Sequence, residues 1–192
     1  MSEKDIRITA DPETIVDAEE SSLPNNILAV GEISTDDVKV YIKQDVYHAI
    51  EKRSASNMTI ELGNILLGKV AEVFGKRHVI ITACIEAKYT DASSSTLTFT
   101  HETWDYVNKI HEEKYSGLRI VGWQHTHPGY GIFLSNYDMF IQENFFNLPF
   151  QIAYVVDPKQ KIRGFFQWQN EKVERLKGFY LFGSVLKFST VC

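Results

Sequence analysis

Between residues 59 and 88 the chain carries two long apolar runs, TIELGNILLGKVAEVFG (59–75) and HVIITACIEAK (78–88), with a tight turn expected at Gly75–Lys76. Runs this apolar and this rich in Val and Ile read as strands of a buried sheet, and so short a turn makes them antiparallel neighbours. The flanking segments fit a sheet covered by helices. VKVYI (38–42) alternates as a half-buried strand, and QDVYHAIEKRSAS reads as an amphipathic helix with Val46, Ala49 and Ile50 on one face. LTFTHETWDYVNKIHEEKY (97–115) ends in a helix with Trp104, Val107, Ile110 and His111 at helical spacing, LRIVGWQHTH (118–127) is a further strand, and SNYDMFIQENFFN (135–147) is a third helix. QIAYVVD (151–157), KIRGFFQWQ (161–169) and KVERL (172–176) are expected as closing antiparallel strands, with DPKQ as a plain hairpin turn. The final apolar segment, GFYLFGSVLKF, packs on this body as a strand or a helix. The fold class that follows is α/β, a mixed and mainly antiparallel curved sheet with flanking helices. There is no repeated βαβ fingerprint and no phosphate-binding glycine motif.

Length and charge divide the chain unevenly. Its 192 residues suit one domain with appended segments, and 44% hydrophobic and 12% aromatic content is enough for a sizeable core. Residues 1–33 hold eight acidic and two basic side chains against a net charge of −5 for the whole, so the remainder is close to neutral. Residues 1–35 therefore read as an acidic, flexible leader, in which Ile6 and Ile8 could pair as a short strand, and residues 36–192 as the folded domain. A body without a basic excess excludes the usual nucleic-acid footprint. No apolar run approaches the roughly 18 residues of a membrane span, and the start lacks the basic and apolar regions of a secretory signal. Cys84 and Cys192 are the only cysteines and form no CxxC pair, so a reducing, cytoplasmic location is expected.

The chemistry is concentrated in HTHPGYGIFLSNYD (125–138). Side chains alternate across a strand, so His125 and His127 project from the same face and can converge on one ion. Pro128, Gly129 and Gly131 end the strand and turn the chain toward a helix start. Ser135 is a natural N-cap, which places the Asp138 carboxylate in the first helical turn. Two imidazoles and one carboxylate leave a fourth tetrahedral position open, the pattern of a catalytic zinc. Amide hydrolysis also needs a proton carrier. Glu61, a carboxylate in a strongly apolar strand, is the candidate. Gly63 and Gly68 in the same run suggest that something approaches the backbone closely, and the Ser135 hydroxyl is placed to assist a developing oxyanion. Thr126 faces away and is expected to pack, as is Trp123. His48, His78, His101 and His111 lack partners at ligand spacing. Tyr130 and Phe133 are expected to be exposed beside the metal.

The stretch HTHPGYGIFLSNYD, with an upstream glutamate in an apolar run, resembles the JAMM (MPN-plus) zinc metalloprotease family over roughly residues 36–175. The Pro-Gly-Tyr-Gly segment looks most like its deubiquitinase-like branch. The resemblance implies an MPN, or cytidine-deaminase-like, fold. It also implies His125, His127 and Asp138 as ligands of one catalytic Zn2+, Glu61 as general acid/base and Ser135 as oxyanion stabiliser. The expected substrates are conjugates of ubiquitin or a ubiquitin-like protein, cleaved at the modifier's C-terminal glycine. A metal-free scaffold subunit and a peptidase acting on a sulfur-carrier protein are the alternatives, and a homodimer or an activating partner stays open. The loop at 89–96, where relatives insert substrate-gripping structure, is short and polar here.

Overall fold

In the computed structural model the two apolar runs pair from Asn64 opposite Glu86 to Val73 opposite Lys76. The turn between them is Phe74–Gly75, with φ of 52° and 68°. Two successive left-handed residues give the two-residue turn whose twist matches the flanking strands, so the turn falls one residue earlier than Gly75–Lys76. The structure describes residues 16–17, 20–35, 38–169 and 172–183. The Ile6–Ile8 pairing, the flexibility expected of the first fifteen residues, the end of the last apolar segment and Cys192 lie outside the described residues.

In chain order the elements are β1 (Val16–Asp17), a short 3-10 turn (Glu20–Ser22), β2 (Ile27–Gly31), β3 (Lys39–Lys43) and α1 (Gln44–Ser54). The hairpin β4 (Gly63–Val73) and β5 (Lys76–Glu86) follows, then β6 (Asp91–Ala92), β7 (Leu97–Thr98), α2 (His101–Lys114) and β8 (Arg119–Thr126). The chain continues through α3 (Asn136–Phe145), β9 (Ile152–Asp157), β10 (Ile162–Gln169), β11 (Lys172–Arg175) and β12 (Gly178–Phe182). The main sheet runs β11-β10-β9-β8-β4-β5-β3-β12-β2, with β1 paired to β4, and β6, within the polar 89–96 loop, pairs with β7 just after it as a separate ribbon. The sheet is mixed and mostly antiparallel, as expected for this α/β chain.

Three placements differ from the sequence expectation. β9 runs parallel to β8, whereas the closing strands were expected to be antiparallel; α3 carries the chain back across the sheet, and a helical crossover returns the next strand in the same direction. β10 and β11 do close antiparallel. Residues 27–31, grouped with the leader on composition, pair antiparallel with β12, and their burial alternates as an edge strand requires. Glu61 lies two residues ahead of β4 rather than within it.

The apolar run Ile65–Leu67 of β4 follows from burial on both faces. Leu66 joins Ile42, Ile50, Ile81, Tyr154 and Phe165 under α1. Its neighbours Ile65 and Leu67 point the other way, toward Trp104, Val107, Trp123 and Phe146 under α2 and α3. Midway along, the register of β4 shifts by one residue at Leu67–Gly68 against β5 and at Leu66–Leu67 against β8, the irregularity that bends a strand and lets a sheet curl. Gly68 sits at that bend with the Ile80 carbonyl oxygen 1.9 Å from where a Cβ would be, the close approach its presence in the run suggested. Among the described residues no helix is long and apolar enough to cross a membrane.

Gly68→Ala is therefore expected to destabilise the fold by about 1–3 kcal/mol, because backbone must move to admit one methyl. Urea denaturation followed by far-UV circular dichroism checks this, and an unchanged midpoint would mean that the bend does not depend on the glycine.

Candidate metal centre

The pairing of β8 between β4 and β9 sets the orientation of the two histidines. His125 lies opposite Gly63 on one side and Val155 on the other, and the His127 N–H extends the β9 pairing by donating to the Val156 carbonyl at 2.9 Å. The alternation holds: both imidazoles project from the face that carries Trp123. The fully buried Trp123 ring stacks on His125 at 4.4 Å between centroids and is itself fixed by its Nε1–H donating to Gln142 Oε1 at 2.8 Å. Trp123 is thus core, as expected, and also the platform for a candidate ligand.

Asp138 arrives from α3 through a reciprocal cap. The Ser135 hydroxyl oxygen accepts the Asp138 N–H at 3.2 Å, and Asp138 Oδ2 accepts the Ser135 N–H at 2.7 Å. A carboxylate in the first turn also complements the positive end of the helix. The cap aims the carboxylate at the histidines, with Oδ1 3.3 Å from His125 Nε2 and Oδ2 3.4 Å from His127 Nε2. The two Nε2 atoms are 2.9 Å apart. Candidate ligand atoms of His125, His127 and Asp138 all lie within 4.8 Å of one another, and all three residues are buried.

Glu61 completes the cluster from outside the strand. Its N–H donates to the Ser93 carbonyl at 2.8 Å. The next residue, Leu62, is gripped by Thr126, whose N–H donates to the Leu62 carbonyl at 3.0 Å while its Oγ1 accepts the Leu62 N–H at 2.9 Å. Thr126 was expected only to pack; it is the side chain that joins the glutamate segment to the histidine strand. The Glu61 carboxylate is 2% exposed, places Oε1 3.8 Å from His127 Nε2 and leaves Oε2 buried without a hydrogen-bond partner.

Burial pushes the Glu61 carboxyl up to about 7, with His127 opposing the rise and Asp138 adding to it. Burial also works to raise Asp138, but the two imidazoles and Ser135 outweigh it and hold that carboxyl well below the usual range. His125 is lowered by burial, against the pull of Asp138, which favours the neutral imidazole that a metal needs. For His127 burial is outweighed by Asp138 and Glu61, and its affinity for a proton rises. Two ring nitrogens at this separation can share at most one proton, and a carboxylate faces both. One cation held by the three groups satisfies all of them, so the donor set fits a divalent metal that accepts nitrogen and oxygen ligands.

The rim is aromatic. Phe133 is 45% exposed and its ring lies 4.8 Å from that of His127, while Tyr130 is 55% exposed. Both were expected to be exposed beside the centre. The Tyr137 hydroxyl contacts Thr98 Oγ1 at 2.7 Å, linking α3 to the β6–β7 ribbon. His48, His78, His101 and His111 stay outside the cluster. His78 instead meets the Tyr41 hydroxyl at 3.2 Å, and His111 the Leu118 carbonyl at 2.7 Å.

Thr126→Val, which keeps the shape but removes the acceptor for the Leu62 N–H, is expected to cost about 1 kcal/mol, and Thr126→Ser to cost less. Equal unfolding midpoints for wild type and Val variant would show that the contact is energetically idle. Asp138→Ala removes a candidate ligand and half of the cap. It should abolish stoichiometric metal by mass spectrometry and cost about 1 kcal/mol in metal-free protein.

Comparison with known proteins places the chain in a family. The family profile described as "JAB1/Mov34/MPN/PAD-1 ubiquitin protease" matches residues 36–148, a range that contains Glu61, His125, His127, Ser135 and Asp138. Ubiquitin carboxyl-terminal hydrolase RPN11 of Saccharomyces cerevisiae is 26% identical over 145 residues, covering 73% of this chain and 46% of that protein. NAD(+) hydrolase TcpA of a Theionarchaea archaeon is 30% identical over 110 residues, covering 53% of this chain and 33% of that protein. The chain thus spans less than half the length of either relative. The solution structure of protein DSY2949 from Desulfitobacterium hafniense superposes with a TM-score of 0.54 at 12% identity, over 72% of this chain and 90% of that one, a likeness of fold. With the profile matching more than half of its length, the chain belongs to the JAB1/Mov34/MPN/PAD-1 ubiquitin protease family.

Proposed function

We propose that this chain is a zinc-dependent isopeptidase that cleaves ubiquitin or a ubiquitin-like modifier from its conjugates, or processes its precursor, at the modifier's C-terminal glycine. The observation that carries the reading is the convergence of His125, His127 and Asp138 with a buried, under-bonded glutamate 3.8 Å from one of the imidazoles. Family membership and the similarity to a ubiquitin carboxyl-terminal hydrolase support the choice of substrate.

His125 Nε2, His127 Nε2 and the Asp138 carboxylate would hold the zinc. A zinc bound by three protein ligands lowers the pKa of its water to about 7 and polarises a carbonyl. Glu61 accepts the proton released by the attacking water and delivers it to the departing lysine amine, so that the carboxylate ends each turnover as it began. Its burial keeps the proton within the site, and the carboxylate needs no rearrangement because Ser93 and Thr126 fix the backbone on either side of its Cα. Ser135 uses its oxygen lone pair on the Asp138 N–H, which leaves its own O–H to donate to the oxyanion. The exposed faces of Tyr130 and Phe133 offer an apolar wall to an extended tail, whose terminal glycines are narrow enough to pass close to the centre. The complete ligand set argues against the scaffold alternative, since scaffold members typically lose it.

The test is release from a panel of ubiquitin, ubiquitin-like and sulfur-carrier conjugates, with chelated enzyme and Glu61→Gln in parallel. Release that stops on chelation and returns with zinc is expected. Glu61→Gln should keep its metal and lose about 10²–10⁴-fold in kcat. Normal turnover by Glu61→Gln would overturn the mechanism. Metal-loaded protein that releases none of the panel would overturn the substrate assignment.

A further inference from the structure

The β9–β10 turn reads in sequence as an ordinary hairpin, yet its first residue is a buried carboxylate with more than one task. Asp157 ends β9, pairs with Ile162 and is fully buried. Four backbone N–H groups donate to it. Lys159 and Gln160, each at 3.0 Å to Oδ1, belong to its own turn, the local pattern by which an aspartate stabilises such a bend. The other two come from far upstream: Gly129 donates to Oδ1 at 2.9 Å and Gly131 to Oδ2 at 2.7 Å. The hairpin does not need this second pair. Both glycines have positive φ, 95° and 86°, which turns their amides inward to form a nest around an anion. Gln160 adds an independent tether, its Nε2 donating to the Gly129 carbonyl at 3.1 Å. Burial alone would raise the Asp157 carboxyl, but the amides of Gln160, Gly131, Gly129 and Lys159 hold it below the usual range, so the anion persists.

The segment pinned in this way is Pro128–Gly131, between His127 and the cap of α3. It carries Tyr130 and leads directly to Phe133, which lies against His127. The candidate ligands also have supports outside this loop: the His127 N–H donates to the Val156 carbonyl and Asp138 is held by the Ser135 cap, while the Tyr130 N–H reaches the His127 carbonyl at 3.3 Å from within it. We infer that Asp157 is a positioning residue whose carboxylate fixes the loop that presents Tyr130 and Phe133 to substrate. The kinetic part of this inference rests on the isopeptidase reading; the structural part does not.

Asp157→Asn tests it in the full-length, zinc-loaded chain. The amide side chain keeps one acceptor but turns an N–H against the backbone donors, so the nest is lost with little change in volume. Amide exchange at Gly129, Tyr130 and Gly131 is expected to accelerate roughly tenfold or more, the effect of losing a charged acceptor. Exchange in β4 and β8 and the zinc content should stay as in wild type. In cleavage, KM should rise severalfold with kcat nearly unchanged. Gln160→Ala, at an exposed position, removes only the side tether and should give a smaller acceleration confined to the same three amides; it carries the test if the asparagine variant does not fold. Unchanged loop exchange, acceleration spread evenly over the chain, or loss of zinc would each overturn the inference. A wild-type protein that cleaves no conjugate would sink the isopeptidase reading alone, because the exchange pattern is read without substrate.

Discussion

The register of β8 between its two neighbours is the constraint on which the centre depends. Gly63 and Val155 flank His125, and Thr126 closes the edge by holding Leu62 with both its N–H and its hydroxyl oxygen. Side chains alternate with a period of two, so a slip of one residue would turn both imidazoles into the core under α1 and bring Gln124 and Thr126 to the metal side. The slip is opposed by apolar burial on both faces at once: Trp123 under α3 and Val121 under α1 would exchange environments. The same hydrophobic term that assembles the sheet therefore also aims the ligands.

Against that gain stands the cost of concentrating four titratable groups where water is scarce. The structure offsets it unevenly. Asp138 is supported by a capping contact and a helix terminus, His125 by Trp123 and His127 by a strand-like bond to β9. Glu61 Oε2 and the Nδ1 atoms of His125 and His127 are buried without a hydrogen-bond partner. An unsatisfied buried acceptor costs about 1–3 kcal/mol, and folds tolerate such costs where function requires a reactive group. Glu61, to which the proposed mechanism assigns the proton transfer, thus keeps one such acceptor unused.

Much of this was legible in the sequence where the signal is local. The His-x-His alternation, the chain break at Pro128 and the Ser135–Asp138 cap are short-range stereochemistry, and the structure has each in its expected place. The long hairpin was legible for the same reason, apart from a turn that begins at Phe74. What escaped was non-local. Glu61 reads as part of a strand because its neighbours are apolar, but its own backbone partner Ser93 and the Thr126 side chain that holds the next residue, Leu62, are 32 and 64 positions from the residues they bond and leave no periodic trace. The parallel entry of β9 depends on the direction in which α3 crosses the sheet, and β2 is recognisable only once β12 offers it an edge. Asp157 was hidden in plain view, since an aspartate before a proline in a turn already has a sufficient local explanation.

Under the proposed function, the arrangement separates chemistry from recognition. The candidate ligands are carried by the end of a central strand and the first turn of a helix, with the His127 N–H bonded to β9 and Asp138 held by the Ser135 cap. Tyr130 and Phe133 are carried by an irregular segment whose shape comes from a carboxylate on another strand. Ile60, exposed just ahead of Glu61, stands on a similarly irregular stretch. Side chains at such positions tolerate change better than those of the core, because they are partly exposed and their backbone is fixed elsewhere. Under the proposed isopeptidase function, a shift in the preferred modifier would then require substitutions on the rim alone, whereas a change at β8 or the α3 cap would disturb every substrate equally.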